Sequence, residues 1–324
     1  MKSNNAMQSR SIPVVFSPRY DMHLGGIEKR HPFDTRKYGR VFQMLCERSI
    51  LTGSDHHAPR PVSEAELLVV HTRTYLQSLE SAENIAMVAE VGELRSVPVS
   101  LLKSHLLEPM LHATGGTLLG VELALQHGWA VNLGAGYHHA KADKGSGFCY
   151  FADINLAIHK FLRLRPQSRL MVLDLDAHQG NGVEATLAGD PRVAVVDLFN
   201  EGTFPCDLEA RRFIQYPFPL KSGCGTDEYL KLLRRELPRI LDEERPSFLI
   251  YNAGTDILDG DPLGLLAISK EGILERDLLV FVEAQRRGIP ILMVLSGGYT
   301  QLSAGIIADS LSTIIPMMKA RMRA

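Results

Sequence analysis

The chain has 324 residues, of which 45% are hydrophobic and 22% are charged, and its formal net charge is -2. This composition is typical of an ordinary globular protein with one large α/β domain or two small ones. The near-zero charge and the lack of a Lys or Arg run exclude the electrostatic pattern of a nucleic-acid-binding protein.

The composition also bears on targeting and compartment. Residues 1–11 are polar and are expected to be a disordered segment or a tag, which leaves 12–324 as a single folded domain. No apolar run approaches the ~20 residues of a membrane-spanning helix, and no signal-peptide core is present. The four cysteines form no CxxC pair, so a disulfide framework is not expected. We therefore expect a cytoplasmic protein without a membrane span.

Short apolar runs alternate with helical patterns along the chain. The runs predict β-strands at 12–16, 129–133, 169–175, 192–198, 247–252 and 290–296. Several are continuous in Val, Ile and Leu, as in strands buried on both faces of a parallel sheet. Helices are predicted at 63–79, 113–127, 152–164, 227–242 and 270–287, the first opening on a capping box of Ser63 and Glu66. This alternation predicts one doubly wound α/β domain.

Polar loops follow four of the predicted strands. They read GAGYHHAKADKGSGF, DAHQGNG, AGTDILDGD and GGYT in chain order. Functional sites in open parallel sheets form at the carboxyl ends of strands. We therefore expect these four loops to build one site.

The run LDLDAH places Asp174, Asp176 and His178 two residues apart. In an extended strand these side chains point to one face, and an Asp and a His at this spacing can ligate one cation. Asp256 is the best candidate for a third ligand. Two carboxylates and one imidazole leave a coordination position open for water, which is the catalytic pattern for zinc. The alternative is a strand end closed by hydrogen-bonded turns.

Two further features suggest proton transfer and oxyanion binding. His138 and His139 lie in a glycine-flanked loop that lets both side chains face one point. If Asp176 ligates the metal, Asp174 is free to orient a histidine base. Tyr299 follows two glycines, and its phenol can donate to a developing oxyanion. The alternatives are surface or core histidines and a packing tyrosine. Together, a metal, imidazole bases and a phenol describe hydrolysis of an amide-like carbonyl.

Four motifs in matching order carry a family resemblance. NLGAGYHHAKADKGSGFCYFADINLAI, VLDLDAHQGNGVE, YNAGTDILDGDPLG and LSGGYT resemble the zinc-dependent histone deacetylases and their bacterial relatives. HPFDTRKYGRVFQML, HTRTYL and GGTLLGVELALQHGWAVN are similar to the class IV branch. The resemblance implies the arginase–deacetylase fold, a central parallel β-sheet flanked by helices on both faces, with the catalytic domain spanning 12–324.

The resemblance also implies roles for individual residues. One Zn(II) per chain would be held by Asp176, His178 and Asp256, and a potassium ion near it by backbone carbonyls in a site involving Asp174, Asp176, His178 and Leu198. The tandem acid/base pair would be His138 and His139, with Asp174 orienting His138 and Tyr299 polarising the carbonyl. The partner of His139 is aspartate in class I enzymes but Asn181 here, so His139 should be the less basic histidine.

A binuclear manganese site of the arginase type is a nearby alternative. Such sites typically have an Asp two residues after the DAH motif, where this chain has Gly180, and another Asp two residues before the position of Asp256. Neither is present, so a single metal ion is expected.

The substrate channel is expected to be lined by Gly136, Gly147 and Phe148, with Phe204 as a candidate for the opposite wall. Class IV relatives favour long fatty-acyl lysine, so we predict a bacterial lysine deacylase acting on acyl-lysine proteins or peptides, with weaker deacetylase activity. The alternatives are an acetylpolyamine or other small-molecule amide deacetylase and a catalytically silent acyl-binding scaffold. A silent scaffold would have lost a metal ligand or Tyr299. All of these residues are present here, which favours an enzyme.

Overall fold

The structure is a computed structural model that describes residues 12–187 and 189–321. The segment 1–11, predicted to be a disordered segment or a tag, lies outside the described residues. Within the described part, strands form one sheet in the order β1-β2-β7-β6-β3-β4-β5, with every neighbouring pair parallel. The strands are β1 (Val14–Val15), β2 (Trp129–Asn132), β3 (Leu170–Asp174), β4 (Val193–Asn200), β5 (Tyr216–Leu220), β6 (Leu249–Asn252) and β7 (Ile291–Val294). The predicted parallel α/β sheet is confirmed.

Helices surround this sheet. They are α1 (Lys37–Glu47), α2 (Glu64–Leu67), α3 (Arg73–Ser78), α4 (Ala82–Ala89), α5 (Val99–Leu102), α6 (Glu108–His127), α7 (Asp153–Leu164), α8 (Asn181–Leu187), α9 (Leu208–Arg211), α10 (Thr226–Glu244), α11 (Lys270–Arg286) and α12 (Ser303–Arg321). Shorter 3₁₀ segments lie at Pro18–Tyr20, Ile27–Arg30 and Gly92–Ser96, and a π segment at Lys103–Leu107. Among the described residues, no helix combines the length and apolarity that a membrane span requires.

One predicted helix is wrong, and the strand β5 lies where no element was predicted. The single helix expected at 63–79 is broken into α2 and α3, because Thr72 caps a new helix by accepting from the Tyr75 N–H. The predicted capping box at the start of α2 is present. The strand β5 was not expected, since its sequence YPFPL carries two prolines. Proline cannot donate to a sheet ladder, and β5 tolerates it as the edge strand next to β4.

The end of β3 also differs from the expectation. The strand ends at Asp174, so Asp176 and His178 lie beyond it and do not share a strand face with Asp174. The chain turns there through side-chain hydrogen bonds: the Asp176 N–H donates to Asp174 Oδ1 (3.2 Å) and the His178 N–H to Asp176 Oδ1 (2.9 Å). These turns, rather than strand periodicity, aim the polar side chains.

The order of the strands brings the four polar loops together. Because β2, β7, β6 and β3 are consecutive in the sheet, the loops that follow them are neighbours at its carboxyl edge. Beneath this edge, Arg276 of α11 is fully buried and donates to the carbonyls of Leu175 (3.1 Å) and Gly254 (2.6 Å). It thereby ties the loop after β3 to the loop after β6.

Candidate active site

Three buried side chains converge at the carboxyl edge of the sheet. Ligand atoms of Asp176, His178 and Asp256 all lie within 4.8 Å of one another, and this is the group of potential metal ligands found among the described residues. His178 Nδ1 lies 3.1 Å from Asp176 Oδ1 and 3.0 Å from Asp256 Oδ2. Sequence reasoning selected these three residues, and the fold brings them together.

Backbone N–H groups fix the other oxygen of each carboxylate. Asp256 Oδ1 accepts from the Ala177 N–H (2.9 Å) and Asp176 Oδ2 from the Gly297 N–H (2.9 Å). A Cβ atom on Gly297 would collide with oxygens of both carboxylates, so only glycine fits there. The carboxylates are therefore held toward each other by the loops after β3, β6 and β7.

The electrostatics of this group favour a positive charge at its centre. Burial, and then the charge of Asp176, raise the pKa of Asp256 to about 7. Burial lowers the pKa of His178, but its hydrogen bonds to Asp176 and Asp256 outweigh that effect and raise it well above the ordinary value. Two buried carboxylates this close need a compensating cation. The donor set of two carboxylate oxygens and one imidazole nitrogen fits a divalent ion such as zinc.

His138 is oriented by Asp174. Its Nδ1–H donates to Asp174 Oδ2 (2.8 Å), and Asp174 Oδ1 accepts from Asn252 Nδ2 (2.9 Å). Burial lowers the pKa of His138, but the charges of Asp174 and Asp176 dominate and raise it to about 9. Asp153 holds the loop from behind, accepting from the N–H groups of Gly136 and Tyr137. His138 therefore favours the imidazolium form at neutral pH.

His139 has a neutral partner. Its ring centroid lies 4.1 Å from that of His138, and its Nδ1 is 2.9 Å from Asn181 Oδ1. Burial, followed by the positive charge of His138, lowers the pKa of His139 well below the ordinary value. The pKa of His139 is therefore lower than that of His138, which is the order expected with an amide at position 181.

Tyr299 closes the site from the loop after β7. Its ring centroid lies 5.9 Å from that of His178, with the two planes perpendicular. Burial, and then the charges of Asp256 and Asp176, raise the pKa of its phenol well above the usual value. The phenol therefore keeps its proton at neutral pH and can act as a hydrogen-bond donor.

Several of these residues line a small, partly open cavity. Its volume is about 30 Å³, and Gly136, Gly147, Phe148, His138, His139, Asp176 and Tyr299 are among its lining residues. Phe148 stacks on His31 with ring centroids 4.9 Å apart. Phe204 does not line this cavity: it is exposed, and its ring packs edge-on against His139 with the centroids 5.0 Å apart. Leu198 is buried in β4, next to Asp197, which is in register with Asp174.

Comparison with known proteins identifies the family. The sequence matches the family described as "Histone deacetylase domain" over residues 31–314. The chain belongs to the histone deacetylase family.

Relatives of this histone deacetylase domain cover most of its length. It is 47% identical over 304 residues to "Histone deacetylase 2" of Arabidopsis thaliana, a match that spans 94% of this chain and 78% of that protein. It is 26% identical to "Histone deacetylase RPD3" of Saccharomyces cerevisiae, over 87% of this chain and 67% of that protein. The solved structure titled "Crystal Structure of HDA15 HD domain" superposes with a TM-score of 0.74 at 19% identity, covering 94% and 88% of the two chains. That structure supports the arginase–deacetylase fold.

Sequence reasoning assigned no role to Lys37 of this histone deacetylase domain. Its side chain is fully buried, and Nζ donates to the carbonyls of Ser296 (2.8 Å) and Gly297 (3.0 Å). Burial lowers the pKa of Lys37 to about 8, against the opposing charges of Asp256 and Asp176. The ammonium therefore braces the loop that carries Tyr299. The only signal in the sequence was its place in the HPFDTRKYG segment.

Asp261 is a second residue without a predicted role. Its Oδ2 accepts from the Tyr299 N–H (2.9 Å), and its Oδ1 accepts from the N–H groups of Leu263 and Gly264 (3.0 Å each). The carboxylate thus links the loop after β6 to the backbone of Tyr299. Its position five residues after Asp256 in TDILDGD is the signal that could have drawn attention to it.

Lys37→Met is expected to lower kcat about tenfold, because a small displacement of a positioned group costs this much or more. Methionine fills a similar space but leaves the carbonyls of Ser296 and Gly297 without their donor. Lys37→Arg, which keeps a cationic donor, should retain more of the activity. Steady-state kinetics on an acyl-lysine peptide, with metal content measured in parallel, test this expectation. A Met variant as active as the original protein would contradict it.

Proposed function

We propose that this chain is a zinc-dependent lysine deacylase of the class IV type, which prefers long fatty-acyl chains and removes acetyl groups more slowly. The family makes it a hydrolase that acts on amide bonds. The observation that carries the finer proposal is one cavity lined by His138, His139, Tyr299 and Asp176, where Asp176 belongs to the buried Asp176–His178–Asp256 group. Asn181, in place of the aspartate of class I enzymes, fits class II and class IV enzymes, and the HPFDTRKYGRVFQML and HTRTYL segments favour class IV between them.

One zinc ion per chain is proposed at Asp176, His178 and Asp256. A zinc ion bound there supplies Lewis acidity, which polarises the substrate carbonyl and acidifies water. The protein's own groups supply the remaining functions, and each of them has a distinct hydrogen-bond environment.

His139 is proposed as the base. Its Nδ1 faces the carbonyl oxygen of Asn181, so Nδ1 carries the hydrogen and Nε2 holds a free lone pair. A neutral imidazole can accept the proton of the attacking water at Nε2 and return it to the leaving lysine amine. His138, paired with the Asp174 carboxylate, stays protonated and stabilises negative charge. The Tyr299 phenol donates a hydrogen bond to the oxyanion that develops on the carbonyl oxygen.

The proposed preference for long acyl chains depends on how much space lies beside Tyr299. The small cavity of about 30 Å³ suits a short acyl group, and a fatty chain requires more room. A larger cavity of about 800 Å³ adjoins it, and Phe33 and Tyr299 line both. We propose that a long acyl chain extends past these two rings into the larger cavity, where the side chain of Met44 contacts it.

The test compares kcat/KM on acetyl-lysine and myristoyl-lysine versions of one peptide. The myristoyl peptide should be favoured at least about tenfold, equivalent to ~1.4 kcal/mol. Met44→Trp, which fills the larger cavity, should reduce myristoyl turnover and leave acetyl turnover unchanged. Met87→Trp, on the exposed face of α4, serves as the matched control. A preference for the acetyl peptide would contradict the long-chain proposal.

A potassium ion is proposed near Asp174, Asp176, His178 and Leu198. The side chain of Asp197 supports a cation there, because it is buried together with the carboxylates of Asp174 and Glu184. Burial and the neighbouring charges of Asp174 and Glu184 also raise the pKa of Asp197 well above its usual value. A higher Tm in KCl than in NaCl at equal ionic strength is expected, and equal Tm values would refute the potassium site.

Two coarser proposals concern the whole chain. Residues 12–324 are proposed to form one catalytic domain, which is supported by the family match over residues 31–314. A cytoplasmic location is proposed, which is supported by the four free cysteines Cys46, Cys149, Cys206 and Cys224.

A further inference from the structure

The amide of Asn181 stands between a histidine and a carboxylate. Its Oδ1 accepts from His139 Nδ1 (2.9 Å), and its Nδ2 donates to Asp207 Oδ2 (3.1 Å). His139 and Asn181 are buried, and the side chain of Asp207 is only 20% exposed. A carboxylate at position 207 therefore extends the hydrogen-bond chain that begins at the imidazole.

An amide has two chemically different ends, so its orientation decides what it offers to His139. Asp207, as a carboxylate, can only accept, and it therefore selects the orientation in which Asn181 Nδ2 faces it. The Asn181 carbonyl oxygen is then left for His139, and an oxygen can pair only with an Nδ1–H. In the opposite orientation, Asn181 would present an N–H to His139 and select the Nε2–H tautomer.

Asp207 is itself held firmly. Its Oδ1 caps α9 by accepting from the Ala210 N–H (3.0 Å), and its Oδ2 also accepts from Lys141 Nζ (2.6 Å). Its backbone N–H donates to Gln179 Oε1 (3.2 Å) while its carbonyl accepts from Gln179 Nε2 (3.0 Å). The loop after β4 is thereby fastened to the same HQGN segment that carries Asn181.

We propose that Asp207 is a positioning residue that sets the tautomer of His139 through Asn181. The Asp207 carboxylate fixes the amide, the amide oxygen fixes the hydrogen on His139 Nδ1, and the lone pair on Nε2 stays available to accept a proton. This inference rests on the proposed function in so far as His139 acts as the base. In a direct His–Asp pair the carboxylate contacts the imidazole itself. Here the Asn181 amide lies between the His139 imidazole and the Asp207 carboxylate.

Asp207→Asn tests this chain of contacts with almost no change of shape. If the new amide keeps its oxygen on the Ala210 N–H, its nitrogen faces Asn181, and the Asn181 amide must turn to offer its oxygen. His139 then meets an N–H and shifts to the Nε2–H tautomer. The fraction of Nε2–H tautomer should rise in ¹⁵N spectra of the holoprotein, with His139 assigned by difference from His139→Gln. Turnover should fall ~10- to 100-fold, with KM changed less than about twofold.

Two further variants separate positioning from a structural role. Lys141→Met removes the same ion pair but keeps the carboxylate, so His139 should stay in the Nδ1–H form. In an Asn181→Asp background either oxygen can accept from His139, so adding Asp207→Asn should change kcat less than about twofold. A structural role for Asp207 predicts the same loss in both backgrounds, since cap and ion pair are affected equally.

Three outcomes overturn the proposal: an unchanged His139 tautomer in Asp207→Asn, a tautomer shift in Lys141→Met, or an equal loss of kcat in the two backgrounds. The spectra need no turnover. A tautomer shift in a protein that hydrolyses no acyl-lysine would therefore support the Asp207 contact and overturn only the proposed function. If Asp207→Asn does not fold, Asp207→Ser takes its place, because serine still caps a helix but carries no carboxylate for Asn181. An unchanged His139 tautomer in that variant overturns the proposal equally.

Discussion

Asp176→Asn is expected to lower kcat/KM for acyl-lysine by about a thousandfold or more, equivalent to ~4 kcal/mol of transition-state stabilisation. The substitution keeps the shape of the side chain but removes a negative charge from the Asp176–His178–Asp256 group. Zinc content should fall well below one equivalent per chain. Elemental analysis of the purified variant and steady-state kinetics on the same preparation measure both effects.

The matched control is Asp259→Asn, an exposed aspartate three residues after Asp256 in the same loop. It should retain both zinc and activity. A chelator should lower the Tm of the original protein, because an ion bound only by the folded state stabilises that state. The same chelator should have little effect on Asp176→Asn. An Asp176→Asn variant with full activity would contradict the metal assignment.

The sheet and the metal-ligand group could be predicted because their signals are local. Continuous apolar runs mark β2, β3, β4, β6 and β7, and polar residues follow four strands that end at one edge. The turns after β3 could not be predicted in detail, because side chains of Asp174 and Asp176 shape them by hydrogen bonding to the backbone. Asp176, His178 and Asp256 do converge, but Asp176 and His178 lie beyond the end of β3, so strand periodicity is not the reason.

The supporting residues could not be predicted because their partners are distant along the chain. Lys37 donates to carbonyls 259 and 260 residues away, and nothing near it in the sequence marks a buried ammonium. Asp207 reaches Asn181 across 26 residues, through a loop that offered only the aromatic Phe204 as a candidate. Such contacts depend on tertiary packing, which the sequence does not display. The candidate metal ligands, in contrast, follow directly after strands that the sequence predicts.

Tyr299→Phe is expected to lower kcat about 100- to 1000-fold, because removing one donor to a developing oxyanion has a cost of this order. Only the hydroxyl is lost, and the ring that packs against His178 and Phe33 remains. Zinc content and KM should change little, since the hydroxyl is not among the metal ligands and acts mainly in the transition state. Stopped assays with myristoyl-lysine peptide and elemental analysis measure the two quantities.

Tyr216→Phe is the matched control for this prediction, because it removes a hydroxyl that bonds to Glu244 (2.6 Å) at the edge strand β5, away from the cavity. It should leave kcat unchanged. If Tyr299→Phe instead lost zinc and activity together, the phenol would be acting on the metal-ligand group rather than on the oxyanion. Full activity in Tyr299→Phe would remove the phenol from the mechanism. The oxyanion donor would then be the imidazolium of His138, because its partner Asp174 keeps that ring protonated.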